Sequence, residues 1–217
     1  LYFWMPNLDS NDKVSMKKQL QLFKRVEAWL VILITAIGVG GLFCWISYIA
    51  PLLTDISGFD AAAVPYILIL AGAGMVVGNI IGGKLADTFP AAQTLIALFL
   101  LMALDLAFVF FFSYNPYVSL LLVFTTGCVS FTFIASIQML MLQIAVGAEM
   151  IASAAIQASF NIGNALGAFL GGLPLIAGFS YASPNLVGIG MSLMGVVFTV
   201  MLVQRRKTVL KLQTVKI

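Results

Sequence analysis

The sequence predicts an all-α membrane protein with six transmembrane helices arranged as a 3+3 inverted repeat. Hydrophobic residues make up 62% of the 217-residue chain and charged residues 9%, whereas soluble domains have about 45–50% and about 25%. The apolar residues form six long runs, and two of these runs carry matching glycine stripes. A surface this apolar cannot stay hydrated, so the lipid bilayer is the solvent of this chain.

The N-terminal part divides into two predicted regions. Residues 1–6 are too short to span a membrane and are rich in aromatic side chains, which is typical of the end of a preceding helix at the membrane interface. An arbitrary start of the chain is the alternative. Residues 7–27 are polar and mostly basic, and we interpret them as a cytoplasmic loop. This loop either contains a short amphipathic helix at the membrane surface or is simply solvated.

The predicted six-helix bundle occupies residues 28–203, and residues 204–217 form a cytoplasmic tail. Each apolar run is close to the ~20 residues that a helix needs to cross about 30 Å of hydrocarbon. The runs do not alternate as barrel strands do, so helices are the remaining way to satisfy the backbone in lipid. The runs cover residues 28–52, 64–86, 92–112, 117–142, 151–178 and 184–203.

The basic residues predict the orientation of the bundle. All eleven Lys and Arg lie in the N-terminal arm, at Lys84 or in the tail, and with six spans these three places share one side of the membrane. The opposite loops lack basic residues and contain Asp55 and Asp60. Because cytoplasmic loops are enriched in Lys and Arg, both termini are predicted to be cytoplasmic.

Two helices carry glycines at every fourth residue. Such spacing leaves a bare strip on one helix face, where a neighbouring backbone can approach closely. Each stripe also contains Gly-Asn followed three residues later by Gly, and matching helices in two halves are typical of an inverted repeat. The stripes are Gly74, Gly78 and Gly82, with Asn79, in the second helix, and Gly163, Gly167 and Gly171, with Asn164, in the fifth.

The fifth helix also contains the strongest polar pattern. Ser153, Gln157, Asn161 and Asn164 follow one another at steps of four, four and three, so they share one face over about 16 Å of helix. Amides exposed to hydrocarbon would each cost several kcal/mol. This face therefore borders a solute passage, or else it forms interhelical hydrogen bonds.

Other polar residues in the spans are weaker candidates. Trp45 and Tyr48 lie three residues apart in the first helix, where they either contact an amphipathic solute or belong to an interfacial aromatic belt. Gln138 is the one amide of the fourth helix that requires a partner outside its own helix, because hydroxyls can bond to their own helix. Asp105 is the one acid in mid-membrane; it is either a proton carrier or a neutral or hydrated structural acid.

Several classes of site are excluded by the residues themselves. The chain has no histidine, and Cys44 and Cys128 both lie inside apolar runs, so metal, cofactor and disulfide sites are not expected. Gly78, Gly83 and Lys84 have the spacing of a phosphate loop, but Leu85 stands where that motif needs Ser or Thr. We therefore expect neither an enzyme nor a nucleic-acid-binding protein.

Two stretches resemble one transporter family. Residues 82–87, Gly-Gly-Lys-Leu-Ala-Asp, resemble the cytoplasmic Gly-x-Leu-Ala-Asp signature of the major facilitator superfamily. Residues 152–167 resemble the eleventh helix of its drug:proton antiporter branch, and the chain is more narrowly similar to bacterial arabinose-efflux-permease-like proteins. One departure is that Thr88, Phe89 and Pro90 follow Asp87, where the family signature continues with basic residues and glycine.

The resemblance implies a fold and a mechanism. The chain would be the C-terminal half of a twelve-helix transporter of the bacterial inner membrane, and residues 1–6 would end its sixth helix. The missing N-terminal six-helix bundle would be its partner, and the two bundles would rock about a central cavity. Lys84 and Asp87 would belong to the gating motif. The first, second, fourth and fifth helices would face the cavity, which favours Trp45, Tyr48, Gln138 and Asn161 and disfavours Asp105.

The sequence thus predicts the C-terminal bundle of a secondary transporter that exports a small organic solute, such as a sugar or drug, in exchange for protons. One rival hypothesis is a half-transporter that dimerises with itself. Another is a non-transporting assembly or sensing subunit, in which the amides of the fifth helix would affect stability but not solute flux.

Overall fold

The computed structural model describes residues 16–214, without the side chains of residues 17–18 and 209–214. The predicted helix end at residues 1–6 and the first part of the loop at 7–27 lie outside the described residues. Ahead of the first long helix, Met16–Gln19 form one α-helical turn and Leu20–Lys24 form a 3₁₀ turn. The indole Nε1 of Trp29 then donates to the carbonyl oxygen of Phe23 at 2.8 Å.

Six helices of residues 16–214 are long and apolar enough to cross a membrane, which confirms the predicted fold class. We label them α1 to α6 in chain order. The sixth continues past residue 203, so part of the predicted tail is helical. The bounds are Val26–Ile46 for α1, Val64–Thr88 for α2, Ala91–Phe112 for α3, Pro116–Ile144 for α4, Glu149–Ile176 for α5 and Pro184–Thr214 for α6.

The first helix is irregular, whereas the sequence predicted an unbroken run over residues 28–52. Ile34–Gly38 form a π-helical turn inside α1, and regular α-helix stops at Ile46. Pro51 lacks the N–H that would bond to the carbonyl of Ser47, so the ladder cannot continue through this point. The chain then turns through Ile49–Pro51 and a second π-helical segment, Leu52–Ile56.

Two of the helix ends are set by local hydrogen bonds. The side-chain Oδ1 of Asn115 accepts from the backbone N–H groups of Tyr117 at 3.0 Å and Val118 at 3.3 Å, which caps the start of α4. After α5, Gly178 has a φ of +86°, a conformation that glycine adopts without strain. Its N–H bonds to Leu175 and that of Phe179 to Pro174, so α5 ends in a Schellman motif.

Replacing Asn115 with alanine is expected to destabilise the bundle by about 1 kcal/mol, because two N–H groups of α4 lose their acceptor. Replacement with aspartate keeps an oxygen in the same place and should preserve stability. Thermal unfolding midpoints in detergent would measure both variants. An alanine variant as stable as wild type would show that water replaces this cap without cost.

The helix pairs repeat in a two-fold pattern. α2 packs along α4, and α1 packs along α5. If α1, α2 and α3 are matched with α4, α5 and α6 in that order, the α2–α4 pair becomes the α5–α1 pair, and the reverse also holds. The pair α3–α4 likewise exchanges with α6–α1, and α3–α6 maps onto itself. Because each set of three contains an odd number of spans, the second set crosses the membrane in the opposite direction to the first.

The two glycine stripes lie in the two equivalent pairs. A methyl group on Gly78 would overlap the carbonyl oxygen of Cys128, and one on Gly82 would lie 2.6 Å from that of Thr132, both on α4. On the other side, a methyl group on Gly167 would overlap the carbonyl oxygen of Gly40 on α1. The backbones of each pair are therefore in direct contact. We call these contacts the α2–α4 seam and the α1–α5 seam.

Two arginines at one end of the bundle join three helices. Arg205 of α6 forms a salt bridge with Glu27 at the start of α1, with Nε and Oε1 2.9 Å apart. Arg25 donates from Nη1 to the carbonyl oxygen of Ile144 at 2.5 Å. The positive guanidinium stabilises the C-terminal end of α4, because the last carbonyl groups of a helix lack intrahelical partners and carry partial negative charge.

Candidate functional site

A cavity of about 380 Å³ lies between α1, α2, α4 and α5. Its size is within the ~300–1,000 Å³ range typical of small-molecule sites. α1 and α5 form most of its lining, and α4 and α2 complete it. The lining residues are Val39, Leu42, Phe43 and Ile46 of α1, Met75 of α2, Ser130, Phe131 and Ile134 of α4, and Gln157, Phe160, Asn161 and Asn164 of α5.

Three amides form the polar wall of this cavity. Gln157, Asn161 and Asn164 are all exposed, and their side-chain amides make no hydrogen bond to another residue within the described part of the chain. In hydrocarbon, each unpaired amide would cost several kcal/mol. This wall therefore faces water, a solute or another protein surface, and it does not form tight dry contacts inside the bundle.

The rest of the cavity lining is mostly apolar and partly aromatic. Phe43 and Phe131 contribute rings from α1 and α4, and Phe160 stands beside Asn161 on α5. Pockets for small organic molecules commonly combine apolar walls with a few polar groups that fix orientation. No acidic or basic residue is among those that line this cavity. The arrangement suits an uncharged amphipathic solute that offers hydrogen bonds along one side.

The two aromatic candidates of α1 lie away from this cavity. Trp45 is buried, with 1% of its surface exposed. The Tyr48 hydroxyl donates to the carbonyl oxygen of Ala168 at 2.7 Å, and its ring lies over Gly171 and Gly172. Tyr48 therefore connects α1 to α5 at the end of their seam, where the absence of glycine side chains leaves room for its ring.

Gln138 and Asp105 also lie outside the cavity. The Gln138 Nε2 donates to the hydroxyl of Ser153 at 3.0 Å, which joins α4 to α5. Asp105 of α3 is 7% exposed, and its two oxygens accept from the hydroxyls of Thr125 at 2.8 Å and Thr126 at 2.5 Å on α4. Among the predicted solute-contacting residues, the structure brings together Gln157, Asn161 and Asn164.

The family-motif residues lie at the basic end of α2. Asn79, Lys84 and Asp87 are exposed, and neither charged group forms a salt bridge within residues 16–214. Gly83 has open space where a side chain would stand. Gly78 and Gly82 belong to the α2–α4 seam, so the motif separates into a packing strip and an exposed polar strip on one helix.

The apolar lining of the cavity was not predicted from the sequence. Val39, Leu42 and Ile46 are indistinguishable by composition from residues that face lipid. One available signal was Phe160, since a residue three after Gln157 shares the face of the amides. The Ser130 hydroxyl donates to the carbonyl oxygen of Thr126 on its own helix, a bond available to any serine of a helix, so its place in the lining could not be predicted.

Comparison with known proteins shows the family. No protein-family model matches the chain. AraJ of Escherichia coli (strain K12) is 33% identical over 181 residues, which are 83% of this chain and 46% of AraJ. The inner membrane transport protein YdhP of the same strain is 31% identical over 87% of this chain and 48% of its own length. The uncharacterized MFS-type transporter YtbD of Bacillus subtilis (strain 168) is 34% identical over 76% of this chain and 43% of its own length.

The chain thus spans a little less than half the length of these curated relatives. Its six helices, their paired seams and the extent of the matches agree with one half of such a fold. We conclude that this multi-pass membrane chain belongs to the major facilitator superfamily and corresponds to one six-helix half of an arabinose-efflux-permease-like member.

Proposed function

We propose that this chain is the C-terminal six-helix bundle of a secondary transporter that exports a small organic solute. The observation that carries this proposal is the wall of three exposed amides in a cavity that aromatic residues also line. Such a wall has no role in lipid, and it provides donors and acceptors to a solute on its way across the membrane. Export and proton coupling rest on the resemblance of α5 to the drug:proton antiporter branch.

The proposed location is the bacterial inner membrane, with both termini in the cytoplasm. The bundle end that holds Arg25 and Arg205 also holds Lys84, because α2 ends on the side where α1 begins. The connections at the other end contain Asp55 and Asp60 and no basic residue. The excess of Lys and Arg supports a cytoplasmic position for the first end.

The proposed partner is a second six-helix bundle that covers α2 and α5. These two helices are the least buried of the six spans within residues 16–214. Their exposed faces carry both apolar side chains, such as Val76 and Phe169, and polar ones, such as Asn79 and Asn161. Amides on a lipid-facing surface would be costly, so a protein surface or a water-filled passage meets these faces.

Alternating access would use the two glycine seams. In each seam, backbones touch without interlocking side chains at the glycines, so one helix can slide or tilt along the other without forcing large side chains past each other. α5 carries the amides and belongs to the α1–α5 seam. Movement at this seam would change the exposure of the amides to the two sides of the membrane.

The proposal is tested with the native protein that contains this chain, reconstituted in proteoliposomes. Uptake of a panel of uncharged sugars and amphipathic drugs is measured with and without an imposed pH gradient. Saturable uptake of one solute that increases with the gradient supports the proposal. Absence of flux for every solute would favour an assembly or sensing subunit. Full flux by residues 1–217 alone would favour a self-dimerising half-transporter.

Asp105 is the proton-coupling residue proposed from the sequence, and its replacement by asparagine is expected to weaken gradient-driven flux. Asparagine keeps an oxygen that accepts from a threonine hydroxyl but cannot carry a negative charge or exchange a proton at neutral pH. The measurement is the ratio of flux with and without the pH gradient. An unchanged ratio would remove Asp105 from the coupling mechanism.

A further inference from the structure

Asp105 of α3 and two threonines of α4 form a buried cluster of oxygen atoms with three short contacts. Thr125 Oγ1 lies 2.8 Å from Asp105 Oδ1, and Thr126 Oγ1 lies 2.5 Å from Asp105 Oδ2. Thr126 Oγ1 also lies 2.7 Å from the carbonyl oxygen of Leu122. Each of these distances is typical of an O–H···O hydrogen bond, whereas the contact of Thr125 with the same carbonyl is longer, at 3.2 Å.

The three short contacts need three protons, but the two threonine hydroxyls supply only two. A carbonyl oxygen and an ionised carboxylate can only accept hydrogen bonds. If Asp105 were ionised, the proton of Thr126 could serve either the carboxylate or the Leu122 carbonyl. The remaining two oxygens would then face each other at hydrogen-bond distance without a proton between them, which is repulsive. A protonated carboxyl group supplies the missing proton and satisfies every oxygen of the cluster.

The surroundings of Asp105 also favour the neutral form. It lines an apolar groove between α3 and α4, whose other titratable group is the thiol of Cys128. Within residues 16–214, no basic side chain forms an ion pair with Asp105. A buried carboxyl group without a cation beside it is far less costly when it is protonated.

The other titratable groups on elements packed against α3 are a buried thiol and charged side chains near the ends of the bundle. The thiol is that of Cys44 on α1. The charged residues are Glu27 at the start of α1, Asp55 and Asp60 before α2, Lys84 and Asp87 near the end of α2, and Arg205, Arg206 and Lys207 of α6. The protonation state of Asp105 is therefore decided mainly by its own hydrogen bonds.

We infer that Asp105 is protonated in this conformation and that Thr126 is the positioning residue that holds its proton. Oδ2 of the carboxyl group donates to the Thr126 hydroxyl, which donates in turn to the Leu122 carbonyl. The Thr125 hydroxyl donates to Oδ1. This inference deepens the proposed coupling role of Asp105, and its meaning for transport rests on that role.

Release of the proton requires the Thr126 hydroxyl to turn. Asp105 lies seven residues before the end of α3 at Phe112, which is about 10 Å of helix, so water at that end of the bundle is the acceptor. The carboxyl O–H bond breaks, its electron pair stays on Oδ2, and water takes the proton. The hydroxyl of Thr126 then rotates from Leu122 towards the carboxylate. The cluster thus has two hydrogen-bond arrangements, one for each protonation state.

Thr126 also connects this cluster to the amide-lined cavity. Ser130, one turn further along α4, lines that cavity and donates from its hydroxyl to the carbonyl oxygen of Thr126. One helical turn therefore separates the partner of Asp105 from the cavity wall. A change in how α4 is held against α3 at Thr126 reaches the cavity through a single rigid helix.

The first test is infrared spectroscopy of the native protein that contains this chain, in lipid at neutral pH. A protonated carboxyl group has a C=O stretch that is separate from the stretches of a carboxylate. Exposed acids are ionised at this pH, so the spectrum of wild type minus that of Asp105→Asn should show such a band. Asparagine can donate to Thr126 and accept from Thr125, so this variant should fold. Absence of the band would overturn the inference.

Variants of Thr126 test its part in holding the proton. Thr126→Val removes the acceptor of the carboxyl O–H, and the band should move to higher frequency, whereas Thr126→Ser keeps a hydroxyl and should leave the band in place. Thr132→Val is the matched control, because Thr132 is also buried in α4 but donates to backbone carbonyls and not to Asp105. A band that is the same in Thr126→Val and wild type would overturn the role of Thr126.

Transport measurements separate this inference from the coupling role itself. Thr126→Val should lower the ratio of flux with and without a pH gradient by roughly threefold or more, as expected for the loss of one neutral hydrogen bond. Thr126→Ser and Thr132→Val should keep the wild-type ratio. A normal ratio in Thr126→Val, together with a lowered ratio in Asp105→Asn, would overturn the positioning role. An infrared band with an unchanged ratio in Asp105→Asn would instead overturn the coupling role and support the protonated state alone.

Discussion

Replacing Gly78 with alanine is expected to destabilise the bundle by about 1–3 kcal/mol, the usual cost of overpacking a close contact. The added methyl group would overlap the carbonyl oxygen of Cys128 and approach its Cα to 3.0 Å. Both atoms belong to the backbone of α4 and cannot rotate away, so α2 must move outward along its length. Since packing is the main force between helices in lipid, the lost contact is not replaced by water exclusion.

The matched control is Gly72→Ala, six residues earlier in the same helix. Gly72 has open space where a methyl group would stand, and alanine is the better helix former by about 1 kcal/mol. This variant should therefore be as stable as wild type or slightly more stable. Thermal unfolding in detergent, followed by loss of the monodisperse peak in size-exclusion chromatography, measures both. Equal midpoints for the two variants would show that the α2–α4 seam is looser than described.

The equivalent seam extends this prediction to the other repeat. At Gly167, an added methyl group would overlap the carbonyl oxygen of Gly40 and lie 2.6 Å from Cβ of Phe43. Gly167→Ala should thus lower the unfolding midpoint by an amount similar to that of Gly78→Ala. A loss confined to one of the two variants would show that the repeats resemble each other in helix order but not in the strength of their seams.

The spans and the glycine stripes could be predicted from the sequence because lipid leaves few alternatives. A backbone in hydrocarbon must satisfy its own hydrogen bonds, so a run of about 20 apolar residues becomes a helix regardless of its neighbours. The amide face of α5 followed from the same reasoning, since the steps between Gln157, Asn161 and Asn164 fix a common direction. These are properties of single helices, and one helix is enough to reveal them.

Properties of helix pairs could not be predicted in this way. Gln138 and Gln157 are both amides in long apolar helices, yet one bonds to Ser153 and the other faces the cavity. The difference is the rotation of each helix about its axis, which packing decides. Likewise, the hydroxyls that hold Asp105 come from another helix. The end of regular helix at Ile46 was not predicted, because Pro51, its cause, acts on the carbonyl four residues upstream and not at its own position.

Replacing Asn161 with leucine is expected to reduce solute flux by about tenfold or more while leaving stability unchanged. Asn161 is exposed and lies in the middle of the amide wall, and its side chain makes no hydrogen bond to another described residue. Its removal therefore costs the folded bundle no contact. A solute that loses one hydrogen bond, and leaves its own polar group unpaired, loses about 1–3 kcal/mol, and each 1.4 kcal/mol corresponds to a factor of ten.

The neighbouring residue provides the control. Ile162 is exposed but does not line the cavity, so Ile162→Leu should change neither flux nor stability. Initial rates for the transported solute are measured in proteoliposomes, and unfolding midpoints are measured on the same preparations. Normal flux in Asn161→Leu would contradict a transport role for the wall. A lower unfolding midpoint with normal flux would mean that the amides join helices or bundles. A group that only holds two surfaces together contributes to stability and not to solute transport.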